Sequence, residues 1–422
     1  MTAPGSPPRQ RRSLSHVGGA IEREGNPTDC VKLARALAVT AAPPPRADGA
    51  RGAGDAADDP DRVHVHGFHA YPARMHPVTA ARLVEDYSRP GGTVLDPFCG
   101  SGTVLVEAAR LGRVAIGTDL NPLAILLASR KLAPRTEHDL LRLVSAAAEA
   151  RAFADERRTR RAGASRRYPP IDARAFAPHV LLELDSLRTH IAAIERGPLR
   201  DDLSLVLSAI LVKVSNQQAD TSQAQAPRRL AAGYTAKLFL RKAEELARRL
   251  REYRALLEGK KPTASVYLDD ATKLAHVATV SVDAILTSPP YAATYDYLEH
   301  HAMRLRWLDL DDATFAAGEL GARRRYERLD AGTAKRAFHD ELVRFFKAAK
   351  RVLRKRAALV LLIADSEVKG TPLRADEIVA RAGDDAGLEP VARASQARPH
   401  FHDRRAFRDA PRREHALLLR TV

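Results

Sequence analysis

The chain has 422 residues, with 68 Lys and Arg against 52 Asp and Glu, a formal net charge of +16 and an apolar share of 45%. That size and apolar content exclude a wholly disordered protein, and the basic excess favours a polyanionic partner, nucleic acid first. Two cysteines, Cys30 and Cys99, are too few and too far apart for a disulfide framework or a cysteine-based zinc site.

No apolar run reaches the eighteen or so residues that a membrane span needs, and the N-terminal region has no secretory apolar core. A soluble, cytoplasmic protein is the expectation. Residues 1–62 are rich in Pro, Gly, Ala, Arg and Asp, and "AAPPPRADGARGAGDAADDPD" reads as a linker behind a basic, disordered tail. Within it only residues 30–40 have the spacing of a helix.

Folded sequence is expected from Val63 onward, with a helix over 77–87 on the apolar positions Val78, Leu83 and Val84. The next stretch, "GGTVLDPFCGSGTVLVEAARLGRVAIGTDLNPLA", reads as strand, glycine turn, helix, strand. Val94 and Leu95 form the first strand, Gly100 and Gly102 permit the turn, and Val114 to Ile116 form the second strand. This is half of an α/β doubly wound domain, taken here as residues 63–131.

Between residues 132 and 262 strand signals vanish and long amphipathic helices take over. The clearest carries Leu238, Leu246, Leu250, Tyr253 and Leu257 on one stripe, with Gly259 as its stop. A helical insertion is the economical reading. Strands return at 265–268, 282–286, 358–363 and 416–422, with helices over 335–352 and 375–383. Residues 263–422 are therefore expected to complete one sheet with the glycine-turn half.

A strand ending in an acid, a glycine turn at a helix start, and a second strand ending in an acid about twenty residues on is the layout of a nucleoside-binding unit. Asp96 and Asp119 hold those acidic positions. The dinucleotide fingerprint G-x-G-x-x-G requires a third glycine where Leu105 stands, and no Lys follows the glycines as a phosphate-binding loop would require.

"DPFCGSGT" followed by "GTDLNP" resembles the S-adenosylmethionine site of the DNA amino-methyltransferases. The resemblance implies a Rossmann-like class I methyltransferase sheet in which Asp96, Phe98, Gly100 and Gly102 surround the methionine part of S-adenosyl-L-methionine. Asp119 would accept hydrogen bonds from the ribose hydroxyls. Asp269 or Asp270, in "YLDDATKL", would face the adenine edge, a role weighed evenly against a turn or helix cap. "FHAYPARMHP", residues 68–77, sits where this family has a segment folding over the cofactor, and from it His69, Tyr71 and Arg74 are candidates for the methionine carboxylate.

The stretch "TSPPY", Thr287 to Tyr291, ends a strand with two prolines that donate no backbone hydrogen bond. An exocyclic amino group is a poor nucleophile because its lone pair is delocalised into the ring, and acceptors pulling on its hydrogens restore nucleophilicity. Ser288 Oγ and the carbonyl of Pro289 can be those acceptors, Pro290 keeps the loop rigid, and Tyr291 can stack on a base taken out of the duplex. A buried proline-rich turn is the rival reading of those letters taken alone.

Within the resembling family the Ser form is more often associated with cytosine N4 and the Asp form with adenine N6, so cytosine N4 is expected and adenine N6 is the alternative. An RNA base methyltransferase on the same fold and a non-catalytic DNA-binding protein are the other readings. Cytosine C5 chemistry is set aside because neither Cys30 nor Cys99 is placed as a nucleophile. The expected enzyme takes no metal, acts on DNA, and is either solitary or restriction-linked.

Target reading falls by default to the insertion. Arg157, Arg158, Arg160, Arg161, Arg166 and Arg167 form a basic run able to follow phosphates. Asn216, Gln217, Gln218, Gln223, Gln225, Arg228 and Arg229 can read base edges. Each group reads equally as ordinary polar surface.

Overall fold

The computed structural model describes residues 19–39, 63–219, 222–259, 261–398 and 406–421, with side chains undescribed at 218–225. Most of the expected tail, and the reading side chains Gln218, Gln223 and Gln225, therefore lie outside the described residues.

In chain order the first elements are β1 (Ile21–Gly25), α1 (Pro27–Leu37), a 3-10 turn (His64–Gly67), α2 (Pro77–Tyr87), β2 (Thr93–Asp96), α3 (Thr103–Arg110), β3 (Val114–Asp119) and α4 (Pro122–Leu132). Five helices follow, α5 (Glu137–Thr159), α6 (Pro170–Ala175), α7 (Pro178–Ala193), α8 (Pro198–Val214) and α9 (Tyr234–Leu256). A small hairpin, β4 (Gln217–Ala219) and β5 (Ser222–Gln225), separates the last two. The chain then gives β6 (Ala264–Leu268), β7 (Val282–Thr287), α10 (Tyr297–Trp307), α11 (Ala313–Gly318), α12 (Arg323–Tyr326) and α13 (Ala331–Val352). It closes with β8 (Leu353–Ala364), a short pair β9 (Ser366–Val368) and β10 (Thr371–Leu373), α14 (Ala375–Ala386), β11 (Leu388–Ala397) and β12 (Arg413–Thr421).

Eight strands form one sheet in the order β1-β11-β12-β8-β7-β2-β3-β6. The run from β6 to β8 is parallel, β12 is antiparallel to both neighbours, and β1 is antiparallel to β11. This is a doubly wound, Rossmann-like sheet, as the sequence leads one to expect. Strand order reverses between β2 and β7, and in open α/β sheets the crevice at the carboxyl ends of such strands is where ligands bind.

The alternation of side chains along the strands feeds two cores. Val94, Ala284, Leu286, Val360 and Leu362 point to one face, and Leu95, Ile285, Leu359, Leu361 and Ile363 to the other. Helices α13 and α14 cover the second face with Phe338, Leu342, Phe345 and Val379. The first face is covered by α1 to α4 and by the insertion, whose Leu246, Leu250 and Tyr253 belong to the same apolar cluster as Leu83, Val104 and Leu127.

One expectation is corrected. Residues 21–37 are not tail: β1 pairs with β11 from Ile21 opposite Gln396 to Gly25 opposite Ala392, and α1 buries Leu33, Ala34 and Leu37. The linker behind them masked the signal, and the partner strand β11 was itself missed because Pro390 interrupts its pattern at a bulge. The helical insertion is tied to the rest of the domain: Tyr253 Oη donates to Val106 O at 3.2 Å and Arg249 Nη1 to His64 O at 2.8 Å.

Candidate active site

At the reversal of strand order a cleft enclosing about 830 Å³ of empty space, part of it open to solvent, is lined by Asp96, Phe98, Gly100, Asp119, Asp269 and Ser288, among others. Its floor is the turn between β2 and α3. Gly100 has φ +48, and a Cβ there would stand 3.1 Å from the Tyr71 ring. Gly102 has φ +80, and a Cβ there would stand 2.9 Å from the Ala128 Cβ. Both positions need glycine, for left-handed backbone and for close packing. Gly102→Ala is expected to lower stability by roughly 1–3 kcal/mol, from strain and overpacking, read as a shift in the denaturant midpoint with an unchanged slope.

The end of β3 supplies Asp119, half-buried and fixed by the turn it faces. Gly100 N donates to Oδ2 at 2.9 Å and Asn121 N to Oδ1 at 2.8 Å. Burial raises its carboxyl to about 6 against the pull of those backbone N–H groups. Each oxygen keeps a free lone-pair direction for a hydroxyl. The group is ionised above about pH 6 and protonated below it, so affinity for a ligand whose hydroxyls donate to it should be flat above neutrality and fall as pH drops through 6. Titration calorimetry between pH 5 and 8 checks this, and Asp119→Asn should flatten the profile.

Asp96 is buried at the end of β2, where its Oδ1 accepts from Thr287 Oγ1 at 2.6 Å and from Phe98 N at 3.2 Å. Burial pushes its carboxyl up to about 7. The Thr287 hydroxyl thereby ties β7 to β2 at the mouth of the cleft and sets the position of the next residue, Ser288. Phe98 is held edge-on to Phe345, centroids 5.1 Å apart.

Ser288 lies on the wall of this cleft and also on the wall of a second cavity, lined by Tyr291, Tyr295, Leu37, Val39, Arg412 and Glu414, among others. Pro290 lines the first cavity and Tyr291 the second, whereas Pro289 is buried and lines neither. Ser288 Oγ is 3.5 Å from the Tyr291 hydroxyl, at the limit of a hydrogen bond, so the serine is not committed to a strong internal partner. Burial raises the Tyr291 phenol well above its ordinary value and keeps it neutral.

The loop is held from outside by a segment that carries no sequence motif. Ala293 N donates to Gly321 O at 2.9 Å, Arg323 N to Tyr295 O at 3.0 Å and Tyr297 N to Glu319 Oε1 at 2.7 Å. Arg324 bridges Asp296 at 2.6 Å and Glu319 at 2.5 Å. The same segment sends Phe315, Glu319 and Leu320 into the first cleft. Three further supports were not anticipated. Asn121 caps α4 and donates to the Tyr71 hydroxyl, the Tyr71 ring stacks on His301 at 4.8 Å, and buried Lys131 donates to Ser101 O at 2.7 Å. Burial lowers the Lys131 ammonium to about 7. Only the "NP" of "DLNP", as a helix start, hinted at any of these.

Several expected positions shift. Tyr71 and Arg74 line both cavities, whereas His69 lines neither. Its Nδ1 donates to Ala70 O at 2.7 Å, so its Nε2 accepts from the Ser208 hydroxyl at 2.8 Å, and burial holds the imidazole neutral. Asp269 is on the cleft wall, with its carboxylate accepting from Asp270 N and His276 N. Asp270 is outside the lining and caps Thr272 through N and Oγ1, at 2.9 and 2.7 Å, which favours the cap reading for it. Of the six arginines in the basic run, Arg157, Arg158, Arg160 and Arg166 pair with Asp185, Asp155, Glu156 and Asp309. Asn216 and Arg228 are likewise spent on backbone carbonyls of Arg174, Lys213 and Gln217. Among the described residues two groups have metal-ligand chemistry, His64 with His66 and Glu107, and Asp365 with Asp376 and His415, and none of these residues lines either cavity.

Residues 51–130 match a family described as DNA methylase. Among curated proteins, the Type II methyltransferase M.MjaII of Methanocaldococcus jannaschii is 38% identical over 69 residues, which are 16% of this chain and 13% of that protein. The Type II methyltransferase M.MvaI of Kocuria varians is 39% identical over 84 residues, 19% of this chain and 18% of that protein. Both matches thus span less than a fifth of the relatives' length. Among solved structures, a SAM-dependent methyltransferase from Methanosarcina mazei aligns with 84% of this chain and 99% of its own, at 11% identity and a TM-score of 0.32. The family match spans the glycine turn, Asp96 and Asp119.

Proposed function

We propose that the protein is a site-specific, S-adenosyl-L-methionine-dependent DNA methyltransferase that modifies the exocyclic N4 amino group of cytosine in a flipped-out base. The observation that carries this reading is the position of Ser288 on the shared wall of two cavities, one beside the glycine turn and one beside Tyr291. A methyl transfer needs donor and acceptor to meet at one point from opposite sides, and Ser288 stands at such a point.

The donor cleft fits the cofactor. Gly100 and Gly102 leave space that a Cβ would fill, Asp119 offers a fixed carboxylate for a vicinal diol, and Phe98 offers an aromatic wall. Bound there, S-adenosyl-L-methionine supplies an electrophilic methyl group on a sulfonium. The chain supplies the rest. Ser288 Oγ and the Pro289 carbonyl accept the two hydrogens of the amino group, drawing its lone pair out of conjugation and aiming it at the donor cleft. Neither proline has an N–H to compete for those acceptors. Tyr291, neutral and half-buried, offers a ring against which an extruded base stacks, offsetting part of the few kcal/mol that unstacking costs.

Ser rather than Asp at the first position of the loop favours cytosine N4 over adenine N6. The test is transfer of labelled methyl from the cofactor to duplex DNA and, in parallel, to tRNA and rRNA. Label in DNA with none in RNA supports the reading, and label confined to RNA overturns the substrate.

A further inference from the structure

We propose that the N-terminal β1–α1 hairpin is part of the target-base site, with Leu37 and Val39 at the end of α1 forming an apolar wall of the cavity that receives the base. This rests on the reading of the second cavity as the base pocket. Leu37 and Val39 line that cavity together with Ser288, Tyr291 and Tyr295. The wall is fixed by specific bonds. Arg82 Nη1 donates to Arg35 O at 2.6 Å and to Ala38 O at 2.8 Å, Thr79 Oγ1 donates to Ala36 O at 2.8 Å, and Val39 N donates to Leu37 O at 2.8 Å.

Packing on the core is the work of Cys30, Leu33, Ala34, Ala36 and Leu37, all buried, and Leu37 also reaches the cavity wall. Val39 lies beyond the helix, is only half-buried, and spends its side chain on the cavity rather than on the core. An apolar wall beside three tyrosines, with polar groups that include the ion-paired Arg398 and Glu414 (2.9 Å), Arg412, Arg74 and His76 elsewhere on the lining, suits a planar heterocycle with apolar faces and a polar edge. A base ring has that chemistry. A hairpin that sequence composition assigns to a tail would thus determine capture of the substrate without touching the cofactor cleft, whose lining includes none of its residues.

The full-length Val39→Trp variant, compared with wild type on plasmid DNA that the wild type methylates, tests this. The expected result is a KM for DNA raised at least about tenfold, with affinity for S-adenosyl-L-methionine and the unfolding midpoint unchanged. Val39→Cys gives a second readout that tolerates no steric objection, because the native Cys30 and Cys99 are buried. Alkylation of Cys at this position should be slowed by that plasmid DNA and not by the cofactor. A KM for DNA equal to wild type together with alkylation indifferent to DNA overturns the wall while leaving the enzyme reading intact. A wild type that transfers no methyl group to DNA overturns both.

Discussion

Ser288→Ala is expected to lower the rate of methyl transfer about 10²–10³-fold, the usual loss when one preorganised polar group at a reacting centre is removed. Affinity for S-adenosyl-L-methionine should stay within a factor of about two. In the proposed mechanism the hydroxyl is one of two acceptors that localise the amino lone pair, so its removal acts on the chemical step. The separation is clean because Ser288 Oγ supports nothing else strongly: its one close partner, the Tyr291 hydroxyl, is 3.5 Å away. Single-turnover quenched-flow with labelled cofactor measures the chemical step, and calorimetry the binding. A variant with wild-type single-turnover rate would show that the acceptor role belongs elsewhere.

Asp119→Ala is expected to weaken the cofactor by roughly 10- to 150-fold, corresponding to about 1.5–3 kcal/mol for hydrogen bonds to a charged group. Two losses combine. The carboxylate that would take the ribose hydroxyls disappears, and Gly100 N and Asn121 N, which donate to it at 2.9 and 2.8 Å, are left without their acceptor. The glycine turn itself then loosens. Calorimetry reads the affinity directly, and the KM for DNA should move much less than that for the cofactor. Unchanged affinity would mean that the ribose lies elsewhere in the cleft.

The parts of this fold legible in the sequence are those where local pattern and tertiary role coincide. Val94 and Leu95 read as a strand because each feeds one of the two cores, and Gly100 and Gly102 read as a turn because only glycine fits their backbone and neighbours. The "TSPPY" loop was legible because two prolines forbid ordinary secondary structure there. What stayed hidden depends on distant partners. β1 is short and mostly exposed, β11 is broken by Pro390, and each is a strand through partners distant in the chain, β11 for β1 and both β1 and β12 for β11. The clamp from Phe315 to Arg324 has no motif, because its contribution lies in backbone bonds to Ala293, Tyr295 and Tyr297.

The candidate site divides in the same way. Asp96, Asp119 and Ser288 sit at strand ends, where topology alone places them in one crevice. Asp269 and Asp270 are neighbours in sequence, yet one lines the cleft and the other caps its own loop, a difference set by a single turn of backbone. His69 stood in the right segment but faces Ser208 of the insertion, whose packing against residues 64–69 could not be read from either stretch. The basic run likewise carried the right composition for phosphates, but four of its six arginines pair with acids, two on the adjoining turn of α5 and two from elsewhere in the chain.

The most direct test of the central claim is the identity of the nucleoside that receives the methyl group. Purified protein is incubated with deuterium-labelled S-adenosyl-L-methionine and unmethylated plasmid DNA, the DNA is digested to nucleosides, and these are separated and weighed by mass spectrometry. The account predicts labelled N4-methyldeoxycytidine, absent with Ser288→Ala. Labelled N6-methyldeoxyadenosine would contradict the base assignment, and no labelled nucleoside from DNA would contradict the account as a whole.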